Sequence, residues 1–115
     1  SKLMNVLFTY AAHEKYKEKN ISFNCLHPGF VKTRFGDENE GIGKSILSIG
    51  KKLMAIDIKK GAKTSIYLAA SDEVSNVSGK YFYKLKVAHS SKISYSKSYQ
   101  QKLWDYSEKI IQDFI

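Results

Sequence analysis

The spacing of apolar positions predicts six elements along the chain. From Lys2 to Lys19, Leu3, Val6, Leu7, Tyr10 and Ala11 form one row and Met4, Phe8 and Ala12 a second, which is the pattern of a helix with a broad apolar face. Its end, His13 to Lys19, is polar and reads as solvated, with Asn20 as the stop. Between Ile21 and Leu26 the period changes to two, Ile21, Phe23 and Cys25 alternating with Ser22 and Asn24, so a short strand is expected, closed by Pro28. Arg34 to Gly43, rich in glycine and acids, reads as a loop. Ile42, Ile46, Ile49, Leu53 and Ile56 then repeat at steps of four and three, predicting a basic amphipathic helix over Ile42 to Ile58, weakened by Gly50.

Gly61 to Ser71 reads as a helix whose small residues Ala62, Ala69 and Ala70, with Ile66, form the packing side. Asp72 to Gly79 is a polar turn, and the alternation from Lys80 to Val87 predicts a second strand. Val87 to Lys97 is irregular, and Tyr99, Leu103, Tyr106, Ile110 and Phe114 mark one face of a last helix, with Trp104 as its packing anchor. No internal repeat is present. Helices alternating with strands point to an α/β fold with a parallel sheet.

A chain of 115 residues has room for one core. The net charge of +8 comes from eighteen lysines and one arginine, Arg34. Sequence-reading nucleic-acid proteins rely on arginine forks, so no nucleic-acid partner is expected, while attraction to an anionic membrane surface stays open. The one cysteine, Cys25, lies in a predicted strand, which argues against a disulfide framework and for an intracellular setting, in the cytoplasm or on the cytosolic face of a membrane. No apolar run is long enough to span a bilayer. The first residues already read as the interior of a helix, so the expectation is that the chain starts inside something larger.

Candidate chemistry concentrates where the first strand meets Pro28 and Gly29, because ligands of open α/β sheets bind at strand ends and glycine allows close backbone approach. His27 and Cys25 share a strand face but lack further ligands, so no metal is expected. His13 and His89 lie in polar stretches and read as surface residues. No nucleophile-elbow motif occurs.

Taken in order, Lys2 to Asn20, NCLHPGFVKT, GAKTSIYLAASDEVSNVSGKYF and KLWDYSEKI resemble the C-terminal half of a short-chain dehydrogenase/reductase, nearest its retinol-dehydrogenase-like members. The resemblance implies the C-terminal part of a doubly wound parallel-sheet (Rossmann) fold, with about two strands and four helices in this chain. It implies NAD or NADP as cofactor and a small lipophilic alcohol or carbonyl as substrate. Ser1-Lys2 matches the end of the family's Tyr-x-x-x-Lys motif, which makes Lys2 catalytic and a ligand of the nicotinamide ribose. Pro28 and Gly29 would face the nicotinamide, Val31 would meet its carboxamide through the backbone, and Thr33 through its hydroxyl. Phe30, Phe35 and the helix carrying Ile46 and Leu53 would shape the substrate pocket. The apolar stripe of that helix by itself reads either as a cover for the domain or as a mobile lid over an apolar substrate.

The family's glycine-rich phosphate turn is not matched, since Gly41-x-Gly43 has no third glycine and no preceding strand. Nor are its catalytic serine and tyrosine. This chain by itself is therefore expected to be inactive and to expose an open sheet edge, making it prone to form homo-oligomers. The alternative is a truncated, catalytically dead homologue that serves as an interaction module.

Overall fold

The computed structural model describes residues 2–29, 58–112 and 114. The predicted loop at Arg34 to Gly43 and the lid helix up to residue 57 lie outside them. The described elements are α1 (Lys2–Tyr16), β1 (Asn24–His27), α2 (Ile58–Ala70), β2 (Lys80–Tyr83), β3 (Lys86–Ala88) and α3 (Lys97–Gln112), with short 3-10 turns at Lys17–Lys19, Asp72–Val74 and Lys92–Tyr95. Strand order is β1-β2-β3, with β1 and β2 parallel and β2 and β3 antiparallel. The architecture is α/β, three helices around a mixed three-stranded sheet among the described residues, consistent with part of a Rossmann-like fold.

The α-helical part of α1 ends at Tyr16, three residues before the expected Lys19, and the 3-10 turn Lys17–Lys19 carries the chain on to Asn20. Asn20 adopts φ 52°, the left-handed cap that asparagine tolerates. The chain then returns antiparallel to the helix, since Tyr16 packs on Phe23 (ring centroids 5.9 Å apart) while Thr9 and Tyr10 lie beside Cys25.

Strand alternation sorts the layers. Cys25 and Tyr81 are register partners on the face that α1 covers, and Leu26 and Phe82 are partners on the other. Tyr67 of α2 packs on Phe82, at 6.4 Å between rings, so α1 and α2 cover opposite faces. Phe82 is 2% exposed and is the best-buried apolar residue of β2.

Four expectations change. The first strand starts at Asn24, three residues later than the alternation suggests. Phe23 bonds instead to the turn before β2, its N–H donating to Ser78 Oγ (2.9 Å) and its carbonyl accepting from Gly79 N (2.7 Å). The predicted strand Lys80 to Val87 is a hairpin: Lys84 and Leu85, at φ 50° and 66°, form its turn. Positive φ at both central residues matches the right-handed strand twist even without asparagine or glycine.

The helix faces also rotate. α2 buries Gly61 and Thr64 and exposes Ile66, Ala69 and Ala70, because Tyr67 must reach Phe82 and Thr64 Oγ1 accepts a hydrogen bond from Leu85 N at the hairpin tip (3.3 Å). α3 buries Gln100 and Trp104 and leaves Tyr99, Tyr106, Ile110 and Phe114 exposed. Trp104 is indeed the anchor: it stacks on Phe8 of α1 at 5.2 Å, lies under Lys15 Nζ at 4.7 Å, and donates from Nε1 to Glu108 (2.6 Å). The ion pairs Lys15–Glu108 (3.1 Å) and Lys97–Glu14 (3.0 Å) flank this α1–α3 seam, so the polar end of α1 is partly occupied by α3.

Candidate functional site

Two hydrogen-bonded devices hold β1 in place. At its start, the Asn24 amide spans the chain before β2, Nδ2 donating to Val77 O (2.6 Å) and Oδ1 accepting from Lys80 N (3.0 Å). Ser78 Oγ accepts from Phe23 N and lies 2.9 Å from His13 Nδ1, within hydrogen-bond distance of the imidazole. His13 is thus half-buried and structural, not a simple surface residue. His89 is exposed.

At the other end of β1, His27 and Pro28 are exposed and Gly29 is half-buried. Gly29 takes φ 82°, a conformation that suits glycine, and its N–H donates to His27 Nδ1 (3.1 Å). His27 is the register partner of Tyr83, and their rings lie 5.7 Å apart. Tyr83 carries Lys84 Nζ over its ring at 5.2 Å. The carboxyl ends of the parallel pair therefore present His27, Pro28, Gly29 and the hairpin tip side by side.

Lys2 is exposed in the first turn of α1. Seven helical residues put it about 10 Å beyond Thr9, in the direction in which β1 runs from Cys25 toward Gly29, about 13 Å away along an extended chain. The antiparallel packing of α1 on β1 thus brings Lys2 and the Pro28–Gly29 turn to the same end of the sheet. Val31, Thr33, Phe30, Phe35, Ile46 and Leu53 lie outside the described residues. Tyr83, beside His27 at this end, goes unsingled in the sequence because its alternation with lysines looks like an ordinary strand.

Two tyrosines and a thiol near this framework are perturbed. Burial pushes the Tyr10 phenol up to about 12, against the opposing hydrogen bond with Ser90. Tyr95, stacked on Tyr10 at 5.4 Å, is held low mainly by its hydrogen bonds with Ser90, whose N–H donates to the Tyr95 oxygen (3.1 Å). Burial raises the Cys25 thiol, with Thr9 opposing it, so this is a packed and unreactive side chain.

A hollow of about 400 Å³ lined by Ser22, Asn24, Ala70 and Ser71 lies at the amino end of β1, opposite Pro28 and Gly29. It does not coincide with the candidate site. Among the described residues no group of three or more histidines, cysteines or acids could hold a metal.

No family model matches the chain, and no solved structure matches it. Curated proteins do. Human retinol dehydrogenase 14 is 36% identical over 96% of this chain, the chloroplastic short-chain dehydrogenase TIC 32 A of Brassica napus 32% over 97%, and the WW domain-containing oxidoreductase of Drosophila melanogaster 32% over 100%. The chain spans 34%, 35% and 28% of those relatives respectively, about a third of their length. Nearly end to end, then, this chain is homologous to the short-chain dehydrogenases and retinol dehydrogenases, and it fits a C-terminal portion of that family's fold.

Proposed function

We propose that the whole protein is a nicotinamide-dependent oxidoreductase that moves hydride between NAD or NADP and an alcohol or carbonyl substrate, lipophilic in character. The observation that carries this reading is the meeting of Lys2 and the Pro28–Gly29 turn at one end of the sheet, in a chain homologous to dehydrogenases over 96% of its length. The exposed strand end and the left-handed backbone of Gly29 suit the close approach of a flat ring.

In this reading Lys2 holds the ribose hydroxyls, and its positive charge lowers the pKa of a tyrosine four positions ahead of it, which exchanges the proton with substrate. Pro28, Gly29, Val31 and Thr33 orient the nicotinamide, whose chemistry is hydride exchange. Phe30, Phe35, Ile46 and Leu53 line the substrate side and exclude water.

The test uses the full-length protein. NADH and NADPH are titrated by fluorescence, then turnover is measured with Lys2→Met, Thr33→Ala and Leu53→Asp. Lys2→Met is expected to lower kcat at least about a hundredfold and to displace the pH profile toward alkali. Thr33→Ala weakens cofactor binding, and Leu53→Asp impairs a long-chain substrate more than a short one. Failure of either cofactor to bind, or a Thr33→Ala protein indistinguishable from the parent, overturns the assignment.

A further inference from the structure

Gly29 leaves the end of β1 in a conformation that its own chemistry does not select. A glycine takes positive and negative φ about equally readily, and Pro28 fixes only its own φ. Yet Gly29 stands at φ 82°, directly after two exposed residues. The side chain two positions earlier supplies the selection, since Gly29 N–H donates to His27 Nδ1 (3.1 Å). Asparagine and aspartate close turns in the same way, accepting from the N–H two residues on. Imidazole Nδ1 occupies the place of their Oδ1, one bond beyond Cγ. His27 therefore builds an Asx-type turn with a ring, and because its partner is an N–H, Nδ1 is the accepting nitrogen.

The ring sets the aim of that acceptor. His27 is the register partner of Tyr83, their rings lie 5.7 Å apart with planes inclined by 56°, and Tyr83 in turn carries Lys84 Nζ at 5.2 Å. The tilted contact limits rotation about the Cβ–Cγ bond of His27. That rotation decides which edge of the imidazole faces Gly29. β2 thus acts, through one aromatic contact, on a turn that lies beyond the paired residues.

We infer that His27, steadied by Tyr83, is a positioning residue for the nicotinamide end of the cofactor: its Nδ1 holds the Pro28–Gly29 turn in the backbone conformation that receives the ring. The inference rests on the dinucleotide reading given above and assigns His27 no contact with the reacting atoms. Its consequence falls on binding more than on stability. His27 and Pro28 are exposed, so a Gly29 N–H released from the imidazole finds water. The turn then divides among several conformers, and the apparent Kd rises as the reciprocal of the fraction that stays competent. Because that N–H is engaged by His27, the turn offers a ligand the bare face of glycine and not this donor.

The experiment is calorimetric titration of the full-length protein with NADH, NADPH and ADP-ribose, the last of which lacks the nicotinamide ring. His27→Phe keeps a ring against Tyr83 and removes the acceptor. It is expected to weaken the preferred reduced cofactor about fivefold and to leave ADP-ribose binding unchanged. His27→Asn removes the ring but keeps an acceptor at the same place, and binding stays within about twofold of the parent. Tyr83→Leu weakens binding in the parent background and adds nothing in the His27→Phe background. A His27→Phe protein that binds like the parent, or that loses ADP-ribose equally, overturns the positioning role and leaves the cofactor reading standing. So does a His27→Asn protein as weak as His27→Phe. A parent protein that binds neither NADH nor NADPH overturns the dinucleotide reading itself, and the role of His27 with it.

Discussion

The imidazole of His13 fills the space that a Cβ on Gly79 would need. Gly79 also sits at φ 68°, so two independent constraints fall on one residue at the entrance to β2. Gly79→Ala is expected to destabilise the protein by about 2–4 kcal/mol, the left-handed backbone and the overlap each contributing. Urea unfolding in a His13→Ala background separates them: the overlap disappears and the backbone cost remains, so the double variant loses less than the sum of the singles.

Asn24 ties β1 to β2 through its side chain as well as its backbone. Asn24→Leu removes a donor and an acceptor from Val77 O and Lys80 N, and a loss of about 2 kcal/mol follows. Asn24→Asp keeps the acceptor for Lys80 N and sets a carboxylate against the Val77 carbonyl. It is expected to cost less than Asn24→Leu at neutral pH, as read from denaturant midpoints.

Alkaline stability should depend on Tyr10. Its folded value of about 12 lies above the ordinary 10.0, so its contribution is fully present below pH 10.0 and is lost as pH rises toward 12. Tyr10→Phe therefore flattens the alkaline limb of the stability curve. It also costs about 1 kcal/mol at neutral pH through the lost bond with Ser90. Phenolate absorbance followed beside unfolding checks both.

Glu108 behaves in the opposite sense. The Trp104 indole N–H, and after it Lys15, hold its carboxyl below the ordinary 4.5. The stabilisation is present above pH 4.5 and disappears as pH falls through the lowered folded value. Trp104→Phe keeps a ring on Phe8 and removes the N–H, so the Glu108 carboxyl titrates at higher pH. Carbon NMR of the glutamate side chains reads that displacement.

Among the described residues, the order helix, strand, helix, strand, helix was legible because burial imposes its period on apolar residues, and the antiparallel return of β1 along α1 follows from so short a connection. The helix faces were not. Gln100 is buried because its amide donates to Ser94 O (2.8 Å), and Ser94, 0% exposed, bonds to Ser90 and to the Ser91 carbonyl. Satisfied polar groups can be buried, so a hydropathy stripe through Tyr99, Tyr106 and Ile110 points to the wrong side of α3.

The hairpin hides for another reason: Lys84-Leu85 lacks the asparagine or glycine that marks such turns, and the alternation runs on through it. At the site, the Pro28–Gly29 turn could be read from residue types alone. The proximity of Tyr83 and His27 depends on parallel register, which no local pattern states.

That register also fixes an order in time. Tyr83 finds Lys86 three positions away, whereas Asn24 must find Lys80 across 56. Closing a hairpin takes about 1–10 μs, and a pairing so distant in sequence waits for collapse of the intervening chain. The β2–β3 hairpin is therefore the early event and β1 the last strand to join. Pulse-labelled hydrogen exchange should protect the hairpin amides before those of Cys25 and His27, so the strand that leads into the Pro28–Gly29 turn is set in place only once its neighbour already stands.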